Sequence, residues 1–122
     1  MGAKAIIVAD SNSSQNQLLS IQLKKLDFEP IQVFALDELF SAARNRKYAL
    51  ILIEASMDGK CAEAIRTIRE EEASEGLART PIIAISKNQN DEKLMMQAGC
   101  DEFVKRPIEQ RKLKLIIQSW CS

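Results

Sequence analysis

The feature that most constrains this chain is an alternation. Five short apolar runs, at residues 5–9, 31–34, 50–53, 82–85 and 103–104, are each followed by a stretch whose apolar side chains recur three and four residues apart. Runs of this length read as strands, and the spacing between them reads as helices with one buried face. Strand and helix in strict alternation predict an α/β domain on a parallel sheet. The first, third and fourth runs are almost wholly apolar, as strands covered on both faces must be. The helical stripes are Leu19, Leu23 and Leu26; Leu36, Leu39, Phe40 and Ala43; Cys61, Ala64, Ile65 and Ile68; Leu94, Met95 and Ala98; and Leu113, Ile116, Ile117 and Trp120. All of these are expected in the core. Gly99 is the expected left-handed terminator of the fourth helix. Ser14 and Gln17 have the spacing of a capping box at the start of the first. Glu70, Glu71 and Glu72 are expected at a solvated end of the third, running into the loop around Gly76.

The 122 residues suffice for one domain, and 46% hydrophobic content allows a core without disulfides or metal. Seventeen basic side chains cancel seventeen acidic ones, so the electrostatic footprint of a nucleic-acid binder is missing. No apolar run approaches the roughly 20 residues that span a bilayer. The domain is therefore expected to work in the cytoplasm, without membrane insertion and without direct contact with nucleic acid. The chain has no histidine, which removes an imidazole base, an imidazole metal ligand and a phosphohistidine. Cys61, Cys100 and Cys121 are spaced as neither a disulfide framework nor a zinc site and read as packed or incidental thiols.

In an open parallel sheet, ligands sit beyond the carboxyl ends of the strands, at the crevice where strand order reverses. The residues just past those ends are Asp10 and Ser11, Glu54, Ser86, and Arg106 with Pro107. Two carboxylates, two hydroxyls and a guanidinium would converge there.

Five segments carry a family resemblance: I-I-V-A-D-S-N at 6–12, L-I-L-I-E at 50–54, M-D-G at 57–59, R-T-P-I-I-A-I-S at 79–86, and A-G-C-D-E-F-V-K-R-P-I at 98–108. In this order and spacing the chain resembles the receiver domains of two-component signalling over residues 1–122, most of all those attached to hybrid sensor kinases. The resemblance implies one flavodoxin-like (βα)5 domain, doubly wound, with strand order 2-1-3-4-5. In that family an acidic pair after the first strand holds Mg²⁺, an Asp after the third accepts phosphate, and a Thr or Ser and a Lys grip the phosphoryl group. Here the acidic pair falls on Asp10 and Ser11, the acceptor on Glu54, the hydroxyl on Ser86 and the Lys on Arg106. The switch aromatic falls on Phe103, without a phenolic hydroxyl. Only Ala55 and Ser56 separate Glu54 from Met57, a loop shorter than the family's. Asp58 and Gly59 read as turn residues.

These departures have physical consequences. Glu54 extends its carboxylate by about 1.5 Å, and a misplacement of about 1 Å can cost a hundredfold in rate. Ser11 offers a neutral oxygen where Mg²⁺ favours carboxylates. Asp10 and Glu54 are thus weak metal candidates, and no tightly held cofactor is expected. Arg106 carries a planar fork suited to a carboxylate, and a standing ion pair with Glu54 is expected. The leading expectation is a degenerate receiver, not an enzyme, acting by contact with a histidine kinase, a histidine phosphotransfer domain or another signalling protein. Its contact face, as the resemblance implies, is the fourth helix, fifth strand and fifth helix, with Lys93, Met96, Glu102 and Lys105. Two alternatives stand beside it. One is a working receiver that accepts phosphate on Glu54 or Asp58. The other is a flavodoxin-like module that cradles a nucleotide or flavin on residues 11–14.

Overall fold

The computed structural model describes residues 4–121. Its elements run β1 (Ala5–Ala9), α1 (Ser13–Lys25), β2 (Glu29–Val33), α2 (Leu36–Asn45), β3 (Leu50–Glu54), α3 (Cys61–Ser74), β4 (Ile82–Ser86), α4 (Glu92–Ala98), β5 (Glu102–Lys105) and α5 (Gln110–Cys121). Short 3-10 turns at Met57–Gly59 and Gln89–Asp91 precede α3 and α4. The strands pair in parallel in the order β2-β1-β3-β4-β5, with Ile6 beside Leu50, Ile51 beside Ile82 and Ala84 beside Phe103.

Alternation along each strand sorts the core into two layers. Ile7, Ala9, Ile51, Ile53, Ile82 and Ala84 face α2, α3 and α4, where Leu39, Cys61, Ile65 and Met95 meet them. Ile6, Val8, Leu50, Leu52, Ile83, Ile85 and Val104 face α1 and α5 through Leu19, Leu23, Leu113 and Ile117. Each fully buried Ile or Leu contributes about 1.5–3 kcal/mol. This two-sided burial is why β1, β3 and β4 show as unbroken apolar runs in the sequence.

Several expectations change. β2 begins at Glu29 rather than 31 and ends before Phe34, which is exposed. As an edge strand it pairs only with β1, and the Glu29 N–H donates inward to the Lys4 carbonyl, so Pro30, which has no N–H, faces the unpaired side. The cap of α1 is Asn12, whose Oδ1 accepts from the Gln15 N–H at 2.9 Å; Ser14 and Gln17 form no box. Leu94 is 48% and Trp120 37% exposed, so the stripes of α4 and α5 are wider than the faces the sheet covers. The Trp120 indole instead donates to Glu102 Oε1 at 2.7 Å. Gly99 closes α4 with φ +118°, as expected. A Cβ there would stand 3.0 Å from Arg69 Cγ.

Glu72 is not solvated but buried at 6% exposure. It accepts from Arg69 Nη1 at 2.9 Å through Oε1 and from the Thr80 N–H at 2.8 Å through Oε2. Arg69 also reaches Asp101 Oδ2, at 2.8 Å, and the carbonyls of Gly99 and Thr80. Asp101 takes a further bond from the Ile82 N–H and two from Arg79. This network ties α3 to the amino end of β4 and to the turn before β5.

Candidate functional site

The carboxyl ends of β1, β3, β4 and β5 border a cleft of about 310 Å³ lined by Asp10, Ser11, Asn12, Gln15, Glu54, Ser56, Ser86, Lys87, Asn88, Asp91 and Arg106. β1 and β3 are neighbours while β2 lies on the far side of β1, so Asp10 and Glu54 flank the point where strand order reverses.

Asp10 is 2% exposed. Its Oδ1 accepts from the Asn12 N–H at 2.9 Å, and its Oδ2 from Arg106 Nη2 at 2.9 Å. Burial raises its pKa above the ordinary 3.8, opposed by the Asn12 hydrogen bond and the Arg106 charge, and Glu54 adds to the rise. Arg106 also donates through Nη1 to Gln15 Oε1 on α1, and its backbone N–H bonds the Ser86 carbonyl at 2.8 Å. The partner expected for Arg106 is therefore corrected: it is Asp10, not Glu54. The reason lies in Glu54. Its extra methylene lets the carboxylate fold back over its own short loop, where Oε2 accepts from the backbone N–H groups of Ser56, at 2.8 Å, and Met57, at 3.1 Å, and from the Ser56 hydroxyl.

Ser86 is 3% exposed and is held likewise: its hydroxyl donates to Asp91 Oδ2 at 2.5 Å and accepts from the Asn88 N–H at 3.0 Å. Ser11 is exposed at the rim. Asp58 and Gly59 take positive φ, +60° and +74°, in the turn after Met57. Phe103 is half-buried against the core layer of α2–α4. Pro107 follows Arg106 through a cis peptide bond. Cys61 and Cys100 are buried, and burial pushes their thiols up to about 12 and about 11.

Three functional neighbours escaped the sequence. Gln15 and Asp91 lie among polar residues that look like ordinary helix starts. Asn16 is fully buried, and its side-chain amide donates to the carbonyls of Val8, Asp10 and Val33 at 3.0–3.1 Å. It pins the ends of β1 and β2 and so fixes where Asp10 stands. A polar residue on the apolar stripe of α1, one turn before Leu19 and two before Leu23, was the available signal.

As arranged, the donor set does not fit a divalent cation. Both Asp10 oxygens are engaged, one of them by a guanidinium, and Glu54 is turned onto its loop. Among the described residues no cluster of three or more Cys, Asp or Glu side chains is placed to hold a metal.

No family model matches the chain. It is 24% identical over 121 residues, 97% of its length, to the sensor protein GacS of Pseudomonas syringae pv. syringae. It is 30% identical over 121 residues, 94% of its length, to hybrid signal transduction histidine kinase L of Dictyostelium discoideum. It spans only 13% and 7% of those proteins. Among solved structures, the receiver domain of a sensor histidine kinase from Pseudomonas aeruginosa PAO1, with magnesium coordinated in its active-site cleft, superposes with a TM-score of 0.87 at 24% identity, covering 98% of both chains. The receiver domain of the Saccharomyces cerevisiae response regulator Ssk1, crystallised with the histidine phosphotransfer protein Ypd1, gives 0.87 at 19% identity, covering 98% of this chain and 90% of that one. The chain has the fold of these receiver domains. Its similarity in sequence is to segments of a sensor protein and a hybrid histidine kinase.

Proposed function

We propose that this receiver domain is degenerate: it takes part in a phosphorelay by protein contact and does not accept phosphate by the usual magnesium-assisted route. One observation carries the reading. Of the four groups that would have to act together, Asp10 and Arg106 are bonded to one another, with Asn12 and Gln15 as their further partners, while Glu54 is taken up by its own loop and Ser86 by Asp91 and Asn88. Phosphoryl transfer depends on positioning and charge stabilisation around the phosphorus, and here the acceptor and the cation face different partners.

The partner this reading favours is a histidine phosphotransfer domain or a histidine kinase, by analogy with the yeast neighbour and the hybrid kinases. Of the exposed apolar side chains, which also include Phe34, Leu77 and Leu115, two groups are candidates for a partner. Leu94, Met96 and Trp120 are exposed on α4 and α5, with Lys93 and Lys105 nearby and Glu102 half-buried. Leu18 and Ile21 are exposed on α1, beside a groove of about 440 Å³ that reaches the cleft through Gln15, Lys87 and Arg106. A nucleotide or flavin is opposed by Asp10, Glu54 and Asp91, three carboxylates in a cleft that would have to take an anion.

Intact-mass measurement after incubation with acetyl phosphate and Mg²⁺ tests the reading. The expected spectrum is unchanged; gain of one phosphoryl mass, mapped to Glu54 or Asp58, would restore the working receiver. Chemical-shift mapping with a histidine phosphotransfer domain then shows which of the two faces is used.

A further inference from the structure

We infer that Arg106 is the resident counter-cation of this cleft, standing beside Asp10 where a divalent ion can enter only once the guanidinium is removed. The inference rests on the reading of a receiver that works without phosphate, and it names the device that keeps the site shut. A carboxylate as buried as Asp10 needs an opposite charge close by. Arg106 supplies it at 2.9 Å, with side-chain exposures of 11% for the arginine and 2% for the aspartate.

The cation is built in rather than swept in from solvent. Its second nitrogen is tied to Gln15 of α1, and its backbone N–H to the Ser86 carbonyl at the end of β4. The side chain thus spans from β5 to the ends of β1 and α1. A dication placed on Asp10 would face the guanidinium at close range and would have to break the Asp10 bond that orients it. With a neutral side chain at 106, Asp10 keeps its burial and loses its counter-charge, while Glu54 stands at the end of the adjacent strand. One or two carboxylates with water are the usual protein share of a Mg²⁺ shell.

The test titrates Mg²⁺, then Mn²⁺, as chloride salts into the wild-type chain and into Arg106→Gln. Readouts are the thermal midpoint and the paramagnetic broadening of the Ser11 and Asn12 amides in heteronuclear NMR spectra. Between EDTA and about 10 mM Mg²⁺ the wild-type midpoint should move by less than about 1 °C, and that of the variant should rise by about 3 °C or more. Mn²⁺ should broaden the two amides in the variant only. The double variant Asp10→Asn/Arg106→Gln should lose both responses. If Arg106→Gln does not fold in EDTA, Arg106→Lys carries the same titration, with a smaller response of the same sign expected.

Equal Mn²⁺ broadening in wild type and variant would overturn the inference, because ion and guanidinium would then coexist. Absence of any response at position 106 would overturn it too. Both results leave the contact reading standing, which fails instead on phosphoryl uptake by the wild-type chain.

Discussion

The two ends of the sheet use the same chemistry, arginine against buried carboxylate, in opposite ways. At the amino end of β4, Arg69 and Asp101 are each bonded to side chains and to backbone of several elements, and the pair holds α3, β4 and the turn before β5 together. At the carboxyl end, most bonds are local. Glu54 bonds residues two and three positions on and Ser86 residues two and five positions on, while Arg106 and Asn16 make the longer-range bonds. The first end is a joint of the scaffold. At the second, Glu54 and Ser86 are satisfied nearby and could be altered with little effect on what lies beneath.

The sharpest way to break this comparison is Arg69→Met. It takes from Glu72 its closest cation and leaves Asp101 with Arg79 alone, and removing one partner of a buried pair costs about 3–5 kcal/mol. Urea unfolding should show a loss of that size; a loss under about 1 kcal/mol would mean the amino-end network is ornamental. Asn16→Ala comes next, with an expected loss of about 2–3 kcal/mol, because three carbonyls at the tips of β1 and β2 lose their donor. It should also move the Asp10 resonances, which a merely distant cavity would not.

Asp10 gives a smaller effect with a definite sign. Burial, the largest influence on it, raises its folded pKa above 3.8. A carboxyl raised by folding contributes stability that is fully present below its unfolded pKa and lost as pH climbs through its folded pKa. As pH climbs from the unfolded carboxyl's range through the raised folded pKa, wild type should therefore lose stability relative to Asp10→Asn and then run parallel to it. The opposite slope would mean that the Arg106 charge outweighs burial. Smallest of all is Glu54→Gln, with an expected change under about 1 kcal/mol, since the amide oxygen still accepts from the Ser56 and Met57 N–H groups.

Much of the fold was legible because two-sided burial writes itself directly into β1, β3 and β4 as continuous apolar runs. The edge strand was misplaced by two residues, because Pro30 reads as a breaker until the open side of β2 is known. Leu94 and Trp120 show that periodicity identifies a helical face without saying whether anything covers it. At the site, position alone brought Asp10, Glu54, Ser86 and Arg106 to one cleft. Their pairing was not legible: Arg106 meets an aspartate 96 residues away, and the choice between Asp10 and Glu54 depends on which carboxylate its own loop has already claimed. Glu72 was hidden for a similar reason. In a run of three glutamates nothing marks the one that a later threonine N–H and a preceding arginine will enclose.

The buried carboxamide of Asn16 has a mechanical meaning. It works as a rivet that fastens α1 to the ends of the first two strands, so a load placed on α1 bears on the floor of the cleft. Force applied at the surface would be felt at Asp10 with no chemical event between them.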